Sequence, residues 1–190
     1  MEHKNVLNVH SRKEFRKWLE ENHENQKECY VACKRGKPSG EQELYYIDAV
    51  EEALCFGWID STLRKIDGVS MQRFSPRNKK SNWTELNKER VRRLEKLGLM
   101  TNAGRACLPN MEENSFIYDD EIMEALKKVR AFNKFMTFHP LYRRVKIYNL
   151  VFCRNCRPED YEKMLSRFIE ATQNEKMIGE WNDYGRLLEY

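Results

Sequence analysis

Residues 58–75 read WIDSTLRKIDGVSMQRFS. Two extended runs, Trp58–Lys65 and Val69–Ser75, lie either side of Asp67-Gly68, and an Asp-Gly pair between two such runs is a strong short-range signal for a β-hairpin. A turn at those two residues sets Ile66 opposite Val69 and Asp60 opposite Ser75. One face of the predicted hairpin then carries Asp60, Thr62, Arg64, Met71, Arg73 and Ser75, which is more polar than a sheet core requires.

The neighbouring sequence places this hairpin in an α+β fold. Upstream, Tyr46–Phe56 has Ile47, Val50, Ala53 and Leu54 on one helical arc, with Asp48 near the positive end and Gly57 at the stop. Glu28–Lys34 reads as a buried strand, Val6–Val9 as a short strand, and Ser11-x-x-Glu14 as a capping box opening a helix with Phe15, Trp18 and Leu19. Gly36–Gly40 is a Pro/Ser/Gly loop, with Lys34 shortly before it and Lys37 within it, but without Walker spacing. Downstream, residues 76–81 form a basic turn and Asn82-x-x-Glu85 caps a helix ending at Leu97-Gly98. Thr101–Cys107 is a short helical turn. Asp119–Ala131, Pro140–Phe152 and Pro158–Thr172 are helices, the last two opened by proline. The expected architecture is a small, mostly antiparallel sheet packed with helices over residues 1–115, followed by a helical part at 116–190, in one compact domain.

Composition narrows the function classes. A 190-residue chain with 41% hydrophobic and 34% charged residues can build a core. No apolar run approaches the roughly 20 residues of a membrane span, and the polar start is no secretory signal, so a cytoplasmic protein with no membrane association is expected. The six cysteines then read as reduced thiols. Cys153-x-x-Cys156 is a lone pair without the second knuckle that tetrahedral zinc needs, so neither metal nor cofactor is expected. Charge is uneven along the chain. Residues 64–96 hold eleven Lys/Arg against four Asp/Glu, and residues 127–157 hold nine with no acid. Such runs form solvated faces or attract anions.

The helix at 83–97 carries the sharpest signal. At 100° per residue from Leu86, its apolar arc takes in Leu97, Trp83, Leu94 and Val91, with Arg90 and Asn87 inside it. A guanidinium or amide in that position needs specific partners. Either Arg90 pairs with a protein carboxylate, Asp60 being the obvious one, or Arg90 and Asn87 floor a polar pocket. In the second reading, the candidate ligand-binding residues are Trp58, Asp60, Arg73, Arg77, Lys79, Ser81, Trp83, Asn87 and Arg90. Arginine forks read carboxylate or phosphate, and tryptophan stacks on planar groups.

Several of these residues sit in ordered motifs. EALCFGWIDS (52–61), QRFSPRNKKSNWTELNKERVRRL (72–94) and GLMTNAGR (98–105) resemble the signature of the YdeI/OmpD-associated, or bacteriocin-protection, family. Its GWID, RFxPR, SxW[ST]xxN and GxM[ST]xxG elements fall on Gly57–Asp60, Arg73–Arg77, Ser81–Asn87 and Gly98–Gly104. The segment CRNCRPEDYEKMLSRFIEAT departs from the Arg-rich helix usual there. The resemblance implies a bacterial, cytoplasmic protein tied to bacteriocin or stress tolerance, with no established reaction.

Three functions follow as expectations. One is a small anionic ligand in the Trp/Arg pocket. Asp60 is the only acid–base candidate there, with no second carboxylate or activated nucleophile, so catalysis stays open. Cys55, inside an apolar helix, reads as structural. A second is nucleic-acid binding through 127–157, where Phe132, Phe135, Phe138, Tyr142 and Tyr148 interleave with basic residues, although their near-helical spacing also fits a core. The third is a protein-interaction module without a small ligand.

Overall fold

The structure is a computed structural model describing residues 5–78 and 81–190. It is an α+β protein in which the sheet lies early in the chain and the later half is helical. The chain divides into two compact units. The first comprises the chain up to Asn82, Arg90–Pro109 and Tyr190. The second comprises Trp83–Glu89 and Asn110–Glu189.

The first unit holds α1 (Arg12–Asn22), β1 (Cys29–Ala32), α2 (Tyr46–Cys55), β2 (Trp58–Ile66), β3 (Val69–Pro76) and α4 (Asn102–Arg105). Helix α3 (Glu85–Lys96) contributes its residues from Arg90 onward. Ser11 caps α1 by accepting the Glu14 N–H, while Glu14 reaches back to the N–H of His10. Strand order is β1-β3-β2, all antiparallel. The turn falls at Asp67-Gly68, whose φ values of 47° and 83° supply the left-handed backbone that a two-residue hairpin loop needs. In place of the expected Val6–Val9 strand there is one parallel bridge, Val6 to Tyr30.

The register changes within the hairpin. Ile66 pairs with Val69 as expected, but a bulge between Asp60 and Leu63 sets Asp60 opposite Phe74, with Ser75 opposite Ile59. One extra residue in β2 reverses every side chain beyond it. Asp60 therefore shares a face with Phe74, which packs on Phe15 of α1 at 5.3 Å. Trp58 is 1% exposed, edge-on to Trp18, with its Nε1 donating to the carbonyl of His23 at 3.2 Å. Burying each such side chain contributes about 1.5–3 kcal/mol.

Helix α3 begins two residues later than expected. Thr84, not Asn82, is its cap, accepting the Asn87 N–H at 3.1 Å. Its C-terminus closes at Gly98 (φ 68°), with Leu99 N–H returning to the Leu94 carbonyl. The expected Leu97 of the apolar arc lies past this end and is exposed. Two motif glycines are explained by packing. A Cβ on Gly104 would sit 2.3 Å from the Cys55 carbonyl oxygen, and one on Gly57 (φ 72°) would sit 2.9 Å from the Cys107 sulfur. Thr101 caps α4 and donates to that same Cys55 carbonyl at 2.6 Å, so GLMTNAGR clamps α4 over the end of α2.

The second unit holds α5 (Asp120–Lys128), α6 (Phe132–Thr137), α7 (Pro140–Cys156) and α8 (Pro158–Gln173). The single helix expected at 119–131 ends at Lys128, and α6 is an additional element. Its core gathers Ile122, Leu126, Phe135, Tyr142, Ile147 and Phe168, with Leu86 packed against it. Arg144, 5% exposed, is ringed by Glu89 at 3.0 Å, Glu113 at 2.5 Å and Glu85 at 3.5 Å. Arg144 accounts for the burial of Glu85 and Glu89. No helix among the described residues is long and apolar enough to cross a membrane.

Candidate functional site

Helix α2 lies almost wholly buried, acids included: Asp48 is 6% exposed, Glu51 0% and Glu52 2%. The sequence reading had taken this helix as amphipathic. Arginines from two other helices hold the carboxylates. Arg12 Nε meets Glu52 at 2.5 Å, its Nη1 meets Glu51 at 2.9 Å and Asp48 at 3.3 Å, Arg16 Nη1 meets Glu52 at 2.8 Å, and Arg93 Nη1 meets Glu51 at 2.8 Å. Burial pulls the Arg12 guanidinium down, but Glu52 and Glu51 more than reverse it, so Arg12 is held firmly charged. A groove of about 650 Å³ lined by Arg12, Arg16 and Glu52 runs alongside. Its arginines are committed to carboxylates.

A second polar cluster lies between the sheet and the start of α2. The bulge turns Asp60 toward Tyr46, whose hydroxyl donates to Asp60 Oδ2 at 2.6 Å. The Arg35 guanidinium sits 3.9 Å from the centroid of the Tyr46 ring, and its Nη2 donates to Gln72 Oε1 at 2.8 Å. Gln72, 3% exposed, in turn donates to the Ser61 carbonyl at 3.1 Å. Among the described residues, Arg35 Nε and Nη1 make no hydrogen bond, and Arg35 itself is exposed. Burial and then the Asp60 charge raise the Tyr46 phenol, while Arg90 and Arg35 pull it the other way, so both arginines lie within electrostatic reach of that ring. Burial pushes the Cys33 thiol up to about 12 despite the Arg35 charge beside it. Cys55, also buried, is likewise pushed up to about 12. Neither is set up as a thiolate nucleophile at neutral pH.

The expected residues of the first unit fall on different faces of the sheet and its flanks. Asp60 and Arg90 take part in the cluster just described, and Arg90 is 8% exposed, in keeping with the wheel. Arg73 falls on the opposite face, where its Nε meets Glu28 at 2.6 Å and its Nη1 meets Ser61 Oγ at 2.9 Å. Trp58 is in the core. Arg77 is buried, its N–H bonded to the Gly57 carbonyl at 2.8 Å and its guanidinium to the Asn82 carbonyl, so it ties the basic turn to the end of α2. Ser81 donates to the Asn78 carbonyl at 2.7 Å. Trp83 and Asn87 belong to the helical unit, Asn87 being 7% exposed, and Lys79 lies outside the described residues. Arg35, Tyr46 and Gln72 had not been singled out. The signal for Arg35 was present in the lysine- and glycine-bearing loop that it adjoins.

The segment 127–157 is less available than its composition implied. Phe135, Phe138 and Tyr142 are core residues. Arg144 is enclosed by acids, Arg154 pairs with Asp119 at 2.5 Å and Glu121 at 2.7 Å, and Lys134 pairs with Glu175 at 3.1 Å. All six cysteines are free, Cys153 buried and Cys156 exposed. Among the described residues no group of three or more His, Cys, Asp or Glu side chains is placed to hold a metal ion.

Residues 7–107, just over half the chain, match the model of a family described as Domain of unknown function (DUF8412), and the chain belongs to that family. No curated protein and no solved structure gives a significant match. The matched stretch contains both charge clusters and all four motif elements.

Proposed function

We propose that this member of the DUF8412 family binds a small anion, through a phosphate or carboxylate group, at the cluster of Arg35, Tyr46, Asp60, Gln72 and Arg90. The observation that carries the reading is the posture of Arg35. Its guanidinium lies over the Tyr46 ring, 3.9 Å from the centroid, and is anchored to Gln72, with two nitrogens making no bond to the described residues. A planar fork held in place loses little entropy on meeting an oxyanion and bonds it in a charge-assisted way. Asp60 orients the Tyr46 hydroxyl, and that hydroxyl holds the stacking ring. A ligand-binding role fits this set better than a catalytic one, because burial holds the nearby Cys33 thiol protonated and, among the described residues, no second carboxylate is bonded into the cluster beside Asp60. Stacking on nucleic acid through residues 127–157 finds no comparable support. A bacterial cytoplasmic setting and a tie to bacteriocin tolerance rest on the YdeI/OmpD-associated resemblance alone.

The test is a thermal-shift series with inorganic phosphate, citrate and adenosine monophosphate. An anion present at 100 times its dissociation constant stabilises by about 2.7 kcal/mol. Arg35→Ala should abolish the shift and Arg73→Ala, on the other face, should leave it. An equal shift in the Arg35 variant, or none in the wild type with any of the three, rejects the reading.

A further inference from the structure

In the helical unit, Lys146 of α7 has Glu180 within electrostatic reach but is not paired with it. No hydrogen bond or ion pair holds its ammonium among the described residues. The Tyr142 ring lies beside it, its centroid 5.5 Å from Nζ. Lys146 lines a pocket of about 150 Å³ whose other walls are Leu150, Met164, Phe168 and Ile178, with Arg167 at the rim. Leu150 and Phe168 are 1% and 3% exposed, so the floor is dry, whereas Arg167 is exposed. Gly179 (φ 68°) closes the mouth so tightly that a Cβ there would stand 2.8 Å from Nζ. The pocket holds about five waters' worth of liquid volume, the size of a molecule of roughly five to seven heavy atoms.

We propose that Lys146 is an amine nucleophile that forms an imine with a small oxo acid seated in this pocket, the ligand's carboxylate lying on Arg167. The lone pair of the neutral amine attacks the carbonyl carbon to give a carbinolamine. Loss of one water, carrying off the former carbonyl oxygen, leaves the C=N bond. Two features of the site favour the first step. Burial lowers the Lys146 pKa from its ordinary value, Glu180 opposes that and Arg167 adds to it. An apolar wall beside a second cation is the setting in which a lysine becomes nucleophilic near neutrality. The oxo acid is specified by the mixture of an apolar floor, an amine and a single rim arginine. This site lies in the helical unit and is independent of the Arg35 cluster.

The experiment incubates the intact protein with pyruvate and sodium cyanoborohydride at neutral pH, where hydride addition to the C=N carbon converts the imine to a stable secondary amine. Peptide mass mapping then compares every lysine. Lys146 should be modified several-fold faster than any exposed lysine, its rate should reach half-maximum at lower pH than theirs, and Gly179→Ala should slow it by displacing Nζ. Arg167→Gln should slow the pyruvate reaction while leaving the same reaction with acetone, which has no carboxylate, unchanged. Modification spread over the surface lysines with Lys146 no faster than the rest overturns the nucleophile. Equal slowing of pyruvate and acetone in Arg167→Gln overturns the oxo-acid assignment.

Discussion

The first unit contains two groups of arginines that follow opposite rules. Around α2, Arg12, Arg16 and Arg93 pair with Asp48, Glu51 and Glu52, joining three helices in a buried network. Between the sheet and the start of α2, Arg35 is equally well positioned, yet its fixing contacts are a ring face and one amide oxygen. Position alone does not mark a functional arginine, since both groups are ordered. The distinction is where the unbonded donors lie: Arg12 Nη2 and Arg93 Nε are buried beside Glu51 and Glu52, whose carboxylate oxygens are all engaged, whereas Arg35 Nε and Nη1 belong to an exposed side chain.

Glu51→Ala should break this comparison most visibly. It strands Arg12 and Arg93 beside a buried void, and removing one partner of a buried ion pair costs about 3 kcal/mol. Urea denaturation should show it with no change in anion response, and a loss below about 1 kcal/mol would mean the network is not the brace described. Tyr46→Phe should cost less, about 1 kcal/mol for the lost bond to Asp60. It should also weaken anion binding, because the ring beneath Arg35 loses its tether. A variant that binds as tightly as the wild type would detach Asp60 from the site.

A committed pair nearer solvent sharpens the scale. Arg154 holds the Asp119 carboxyl below its ordinary value of 3.8, burial opposing this and the Ile122 N–H at the start of α5 adding to it. A carboxyl depressed in the folded state stabilises fully above its ordinary pKa, and the contribution fades as pH falls through the folded value. Asp119→Asn should therefore cost only about 0.5 kcal/mol at pH 7, with the pair partly screened. The gap between the variant and wild type should close as pH is lowered through the acid range, and a gap that widens there would reverse the assignment. Arg35→Ala comes last, with a change in apo stability within about 0.5 kcal/mol, as for an exposed side chain. A large loss by chemical denaturation would place Arg35 with the structural group after all.

Local signals were legible in the sequence where the cause is local. The Asp67-Gly68 turn, the Ser11 cap and the Gly98 stop each depend on one or two residues, and each is found in place. The burial of Arg90 was legible as well, because a helix wheel needs only the period. Glu51 was the missed opportunity: it lies 40° from Ile47 on the α2 wheel, beside the apolar arc. Its partners Arg12 and Arg93 are 39 and 42 residues away, though, and periodicity within one helix says nothing of them. The candidate site failed at a different scale. Its expected membership assumed an unbroken ladder, and the bulge falls in Ser61-Thr62, where no glycine announces it. The buried Glu85 and Glu89 show the same limit, since only Arg144, in another helix, makes their position tolerable.

That bulge makes chain length a chemical variable in this protein. A single deletion at Ser61 or Thr62 would leave composition, charge and the Asp67-Gly68 turn intact while handing Asp60 from the Tyr46 side of the sheet to the Arg73 side. Sequences of this family that align perfectly by residue type but differ by one position between the GWID and RFxPR elements would therefore present different ionic partners to solvent. A gap of one residue there separates two electrostatic species of the same fold.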